Sequence, residues 1–445
     1  MNQLYNKFLE NLILPAGDLV LGTAFIHQLN YWREIQNKTT AELHFIQNKN
    51  LTKLLEHARQ NIPFYKRLNI DYESDPYLLI KKFPVMKKNI IKQELKYLAN
   101  GDISKMVKMT SSGSSGVQGT VYMSKKNQSN QLAAQTLWWE WSGYKLGDSL
   151  LQTGITPNRG IVKTAKDNLL NTLYASAYSL DKTEILAILK QLQKTPREYF
   201  MGYASSLYVF SKVAEENNIN NVHFKSVVSW GDKMFPHFRS KIEKQFNTKV
   251  FDTYGCTEGF MIAGECEAHR YHIMTPMVFL ELLDDYGMEV EPGQIGHVVV
   301  TRLDNYVMPL IRYYLGDLAI AAAKNEICTC GRKFPLLDKI IGRDTDIVKT
   351  RSGKYMVVHA FTGIFEHIPE IRQFRVIQKD LDFIEIEYIK EKVWVDNVLD
   401  EIKKKIQGYL NEDFQINFTE VQTIPSTPSG KPQIIQSFLN QSVNA

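Results

Sequence analysis

The chain has 445 residues, 44% hydrophobic and 23% charged, with a formal net charge of +5 and four cysteines. That is ordinary globular composition, with length for two or three domains and ample core. It excludes a disulfide scaffold, makes no case for a nucleic-acid partner, and offers no apolar run near the ~18 residues of a membrane span.

The first ten residues lack the basic-then-apolar plan of a signal peptide, so a cytoplasmic chain without membrane insertion is expected. Residues 1–40 carry apolar and aromatic side chains at loose helical spacing, with Pro15-Ala16-Gly17 as an expected break. Asn50 to Arg67 reads as a helix through Leu51, Leu54, Leu55 and Ala58, stopped by Pro63. Pro84 to Lys88 reads as a turn before a short helix from Ile90 to Leu98.

Next comes Met109-Thr110-Ser111-Ser112-Gly113-Ser114-Ser115-Gly116-Val117-Gln118-Gly119-Thr120, then a strand-like Val121-Tyr122-Met123. Serine hydroxyls and glycine-freed N–H groups can converge on one anion, most often phosphate. The same composition also suits a flexible linker. No Gly-Lys-Ser/Thr closes the run, so it is not a Walker A loop.

Asn127 to Tyr144 reads as a helix bearing Trp138, Trp139 and Trp141, with core filling the leading role for these rings. Thr183–Gln193 and Pro236–Gln245 follow as helices, alternating with strand endings at Phe200–Ala204 and Ser226–Asp232. This alternation predicts α/β layers on a largely parallel sheet, with ligands beyond the strand C-terminal ends. Val278–Leu283 and His297–Leu303 have an antiparallel texture. Residues 374–421 then form a strand–strand–helix–strand pattern of small-domain size. The predicted fold class is α/β: a large multi-subdomain N-terminal α/β domain with an antiparallel β subdomain, residues 1–343, and a small α+β C-terminal lid, residues 344–445.

Four further segments carry chemistry. In Phe251-Asp252-Thr253-Tyr254-Gly255-Cys256-Thr257-Glu258-Gly259, a strand is expected to end in a Tyr-Gly turn. There Thr257 can bond a phosphate oxygen and Glu258 can hold Mg²⁺, which takes one or two carboxylates beside phosphate. In Ile311-Arg312-Tyr313-Tyr314-Leu315-Gly316-Asp317, a carboxylate at an expected glycine turn can take a ribose diol, or simply cap the turn. Ile341-Gly342-Arg343-Asp344-Thr345-Asp346 offers Arg343 to phosphate or ribose. Pro425 to Pro432 carries Lys431 on a Gly/Pro turn, either solvated or placed to stabilise developing charge.

The cysteines suggest a separate site. Cys266-x5-His272 and Cys328-x-Cys330 together supply three thiolates and an imidazole, a set for closed tetrahedral zinc. His269 competes for the imidazole position. Cys256, inside the Thr-Glu segment, is a weak nucleophile candidate because no paired base is identifiable.

The ordered series of a Ser/Gly loop, Tyr-Gly-x-Thr-Glu, Tyr-x-x-Gly-Asp, Gly-Arg-Asp and Ser-Gly-Lys resembles the adenylate-forming, acyl-CoA synthetase-like superfamily. Asn61-Ile62-Pro63-Phe64-Tyr65, Gly202-Tyr203-Ala204-Ser205 and Cys328-Thr329-Cys330-Gly331-Arg332 are similar to its phenylacetate–CoA ligase branch and capsule-biosynthesis relatives.

The resemblance implies that Ser111, Ser112, Gly113, Ser114, Ser115 and Gly116 hold the β- and γ-phosphates of ATP. It implies that Gly231, Asp252, Tyr254 and Gly255 belong to the nucleotide site, with Thr257 on the α-phosphate and Glu258 on Mg²⁺. Asp317 takes the ribose hydroxyls, Arg343 sits near the hinge, and Lys431 serves the first half-reaction. The implied activity joins a carboxylic acid to AMP, releases pyrophosphate, and passes the acyl group to coenzyme A. An amine acceptor, such as an amino sugar or amino acid, is the alternative; a zinc-bearing, non-catalytic nucleotide-binding module is the remote one. Thr345 at the hinge, where an acid is usual, and Thr350-Arg351-Ser352-Gly353-Lys354-Tyr355 depart from the common pattern. Trp138, Trp141, Tyr174, Tyr178 and Tyr203 hint at a bulky acyl pocket without naming the acid.

Overall fold

The computed structural model describes residues 2–110, 120–154, 159–177, 182–343, 347–351, 355–357, 361, 364–365, 368–410, 414–425 and 434–439. The expected break at Pro15 does not occur. Helix Asn2–Phe8 runs through one π turn, Leu9–Ile13, into helix Leu14–Leu21. Pro15 lies in the first turn after the wider π segment, where a missing N–H and the ring's bulk are accommodated. The run ends at Gly22, left-handed at φ 63°, whose N–H bonds Asp18 O.

The next long helix, Thr40–Asn61, starts well before the expected Asn50 because its cap lies there. Glu42 N–H donates to the Thr39 hydroxyl, and the Glu42 carboxylate accepts the Thr39 N–H. Pro63 opens a separate short helix, Pro63–Lys66.

Among the described residues, the chain divides into two units. The first holds the chain up to Leu315 together with Ile320–Lys339; the second holds Gly316–Ala319 and the chain from Ile340 onward. In the first, β1 (Val107–Thr110) and β2 (Thr120–Met123) pair antiparallel, with Thr110 opposite Thr120. Residues 111–119, which join them, lie outside the described residues.

The main sheet takes β3 (Leu150–Gly154), β4 (Thr172–Ser176), β5 (Tyr199–Tyr203), β6 (Ser226–Trp230), β7 (Val250–Cys256), β8 (Phe260–Glu265), β9 (Tyr271–Ile273), β10 (Val278–Leu283), β11 (Ile295–Arg302), β12 (Tyr313–Ala321) and β13 (Leu336–Arg343). Their order is β10-β11-β12-β13-β9-β8-β7-β6-β5-β3-β4. Pairs from β4 to β7 are parallel, while β7–β8, β8–β9, β9–β13 and β10–β11 are antiparallel. The sheet therefore changes character at β7.

Two readings are corrected here. Tyr254 and Gly255 do not form a turn; β7 continues through Cys256, and the turn falls at Thr257–Gly259. The cause lies in β8, a wholly buried strand that needs a full-length partner. Likewise Gly316 and Asp317 lie within the continuous strand β12 rather than at a turn, with Gly316 at φ 76°.

The parallel half is held by an aromatic core. Phe200 of β5 meets Phe210, Phe224 and Phe246 with ring centroids at 5.2, 5.1 and 6.2 Å. All four rings are buried, each contributing about 1.5–3 kcal/mol by area.

In the second unit β14 (Ile347–Lys349) pairs with β15 (Tyr355–Val357). A four-stranded sheet combines β16 (Ile371–Asp380), β17 (Phe383–Lys390), β18 (Gln415–Glu420) and β19 (Ile435–Ser437) in the order β18-β17-β16-β19. Helix Val398–Leu410 buries Val398, Ile402 and Ile406, a stripe at four-residue spacing. The buried Gln378 amide donates to Lys349 O at 2.6 Å and accepts from Lys349 N–H at 2.9 Å. The fold is α/β, with a large N-terminal part and a small α+β C-terminal part.

Candidate active site

The β7–β8 turn projects from the place where parallel pairing gives way to antiparallel. Gly255 is required just before it, because a Cβ there would lie 2.4 Å from the Phe260 carbonyl oxygen. Thr257 is exposed, and its hydroxyl donates to Glu258 Oε2 at 3.3 Å. Glu258 is buried. Its Oε1 accepts from the Tyr313 hydroxyl at 2.9 Å and faces the Lys88 ammonium at 3.6 Å. Burial alone opposes ionisation, yet Lys88, then Tyr313 and Cys256, hold the Glu258 carboxyl below its usual range. Burial, then Glu258, pushes the Cys256 thiol far up, so it stays protonated and is a poor nucleophile.

Lys88 lies outside the motifs and Tyr313 opens the Tyr-x-x-Gly-Asp motif, and a local device brings the two together. Met86 bridges the strand start: its N–H donates to Arg312 O at 2.8 Å, and Tyr314 N–H donates to Met86 O at 3.0 Å. Arg312 is left-handed at φ 52° and forks onto Glu281 at 3.1 and 3.0 Å. Both side chains are buried. Arg312→Met leaves the Glu281 charge buried without its partner. Chemical denaturation should show a loss of roughly 3–5 kcal/mol, and a loss under about 1 kcal/mol would contradict the arrangement.

Behind the turn, Asp252 lies buried and accepts from the Tyr271 hydroxyl at 2.6 Å and from the Ser229 hydroxyl. Burial, then the neighbouring Glu265, pushes its carboxyl up to about 7. Glu265 in turn accepts the Asp252 N–H at 2.8 Å and pairs with Arg239 at 2.8 Å. Gly231 directly follows β6 at φ 75°, and a Cβ there would lie 2.4 Å from the Tyr203 ring. Tyr254 is buried in β7.

In the second unit, Asp317 and Arg343 meet as an ion pair, Nε to Oδ1, at 3.1 Å. Ser111–Gly116, Asp344–Asp346, Ser352–Lys354 and Lys431 lie outside the described residues.

Among the acyl-pocket candidates, Trp138 and Trp141 are buried in the core, and Trp138 Nε1 donates to Met274 Sδ at 3.1 Å. Tyr174 lines a cavity of about 420 Å³ with Arg159, Thr164 and Asp167. Tyr203 stands edge-on to Trp230 at 6.5 Å, and Tyr178 lies outside the described residues.

The four cysteine-site residues converge. The donor atoms of Cys266, His272, Cys328 and Cys330 all lie within 4.8 Å of one another. His269 is elsewhere, its Nδ1 at 3.3 Å from Arg239 and 3.7 Å from Glu265.

Residues 348–437 match the model of the CapK C-terminal domain. Protein CapK of Staphylococcus aureus is 24% identical over 97% of this chain and 98% of its own length. Phenylacetate-coenzyme A ligase of Thermus thermophilus is 31% identical over 30% of each chain. These matches show a likeness to the adenylate-forming superfamily, on its branch of phenylacetate–CoA ligases and capsule-biosynthesis relatives. The fold agrees: a crystal structure of 2-hydroxyisobutyryl-CoA ligase superposes with a TM-score of 0.69 at 18% identity, covering 92% of both chains. Adenylate-forming ligases share this large-plus-small plan, and among the described residues no helix is long and apolar enough to cross a membrane.

Proposed function

We propose that this chain activates a carboxylic acid with ATP and then transfers the acyl group to coenzyme A. The observation that carries the reading is Glu258: a carboxylate kept ionised while buried, beside an exposed Thr257 hydroxyl, where the sheet changes character. Its oxygen donors fit Mg²⁺, which prefers oxygen ligands and needs few carboxylates when phosphate supplies the rest. Bound there, Mg²⁺ would offset charge on the phosphates.

The remaining roles follow the family motifs. Thr257 meets the α-phosphate, Asp317 and Arg343 take the ribose end, and Ser111 to Gly116 hold the outer phosphates. The acid's carboxylate oxygen attacks the α-phosphorus; the bond to the bridging oxygen breaks, and pyrophosphate leaves. A thiolate then attacks the acyl carbonyl and AMP departs with its oxygen. Positioning and charge compensation supply most of such catalysis. The small C-terminal part acts as a lid that brings Lys431 to the first step only.

Transfer to an amine is the second reading. It draws support from the likeness of the fold to amide bond synthetase McbA of Marinactinospora thermotolerans, with a TM-score of 0.51 at 18% identity. The test is ATP–pyrophosphate exchange across aryl, fatty, hydroxy and amino acids, followed by mass spectrometry with coenzyme A or amines. Acid-dependent exchange with thioester accumulation supports the first reading. Exchange with amide alone supports the second, and no exchange with any acid overturns both.

A further inference from the structure

We propose that Cys266, His272, Cys328 and Cys330 hold one zinc ion in a closed structural site, independent of the ligase chemistry. Two loops build it. Cys266 directly follows β8; its N–H bonds Arg270 O at 3.0 Å and its carbonyl accepts His269 N–H at 2.8 Å. This tight turn leads into β9 and returns His272 to the side of Cys266. The second loop precedes β13, with Gly331 N–H on Cys328 O at 3.2 Å. Pairing of β9 with β13, His272 opposite Leu336, brings the loops face to face.

The spacings suit a tetrahedral ion. Zn–S bonds of about 2.3 Å and a Zn–N bond of about 2.0 Å put neighbouring donors roughly 3.5–3.8 Å apart. Cys266 Sγ lies 3.6 Å from Cys328 Sγ, and Cys330 Sγ lies 3.3 Å from His272 Nε2. A disulfide would need about 2.05 Å between the sulfurs. His272 Nδ1 is 3.3 Å from Phe334 O, so it donates there as N–H and leaves Nε2 to bind metal. Cys266, His272 and Cys328 are buried, and the Trp141 ring stands edge-on to His272 at 5.7 Å. Four protein donors leave no open position for water, which marks a structural ion rather than a catalytic one. The ion would bolt the β8–β9 hairpin, which follows the Thr257–Glu258 turn, to the loop before β13.

Elemental analysis of full-length protein, expressed with zinc and dialysed, should find one zinc per chain. Mercurial titration should release it stoichiometrically, read with a colorimetric zinc indicator. Cys328→Ser and Cys330→Ser should each lower zinc content at least tenfold, while Cys256→Ser and His269→Ala retain it. Should the serine variants not fold, the wild-type titration still decides. A dialysed wild-type protein with less than about a tenth of an ion per chain, or a disulfide in its intact mass, overturns the proposal.

Discussion

Glu258→Gln lowers acid-dependent ATP–pyrophosphate exchange by about 10²–10³-fold, the range seen when one preorganised charge-stabilising group is removed. The amide keeps the shape and can still accept from Tyr313, so the fold is retained. What is lost is the negative charge that would hold Mg²⁺ on the phosphates. Lys88 then faces a neutral side chain, and the site carries excess positive charge before nucleotide arrives.

The pH dependence follows in sign. A carboxylate buried without partners has its ionisation pushed to higher pH. In Glu258 the ammonium of Lys88 and the hydrogen bonds from Tyr313 and Cys256 outweigh burial, and the folded value falls below the ordinary one. This group therefore stabilises the fold above the ordinary glutamate range, and that contribution fades as pH drops through its lowered folded value. Lys88→Met removes the largest of the lowering influences. The acid limb of the exchange rate then moves to higher pH, so the variant loses more at pH 6 than at pH 8. Parallel pH–rate profiles for wild type and Lys88→Met would sink this account of Lys88.

Lys431→Ala separates the two half-reactions. Exchange is expected to fall by about 10²–10³-fold, while conversion of supplied acyl-AMP by the acceptor stays within a few-fold of wild type. A lysine that helps the carboxylate and α-phosphate meet has no task once pyrophosphate has gone. The measurement is single-turnover transfer from synthetic acyl-AMP, run beside the exchange assay on the same preparation. Equal losses in both assays would place Lys431 outside the first step or make it a general structural residue. No loss in either would leave it an ordinary solvated lysine.

Motif order pointed to the turn carrying Thr257 and Glu258, and spacing pointed to the four side chains of the proposed zinc site. Both are local signals: a few residues on one turn, or two short Cys/His intervals. The residues around Glu258 were not legible in the same way. Lys88 sits in what reads as a turn from Pro84 to Lys88, and Tyr313 opens the Tyr-x-x-Gly-Asp motif, whose chemistry points to Asp317 rather than to Glu258. Their joint role depends on Met86 bridging the start of β12 and on the left-handed Arg312. Nothing in a one-dimensional pattern encodes that meeting. Local glycine reasoning also misled at Gly255 and Gly316, where strands continue because ladder pairing outweighs a residue's preference for turns.

By itself the amino-acid sequence determined the alternation of strands and helices, the family resemblance, and the residue types able to handle phosphate, ribose and zinc. These are properties of periodicity and of short motifs, in which neighbours along the chain carry the information. Only the tertiary structure decided that Glu258 is buried and ionised, that Asp252 is tied to Tyr271 and Ser229, and that His272 rather than His269 joins the three cysteines. Charge state and ligand choice depend on distance and desolvation, which arise when remote segments pack together.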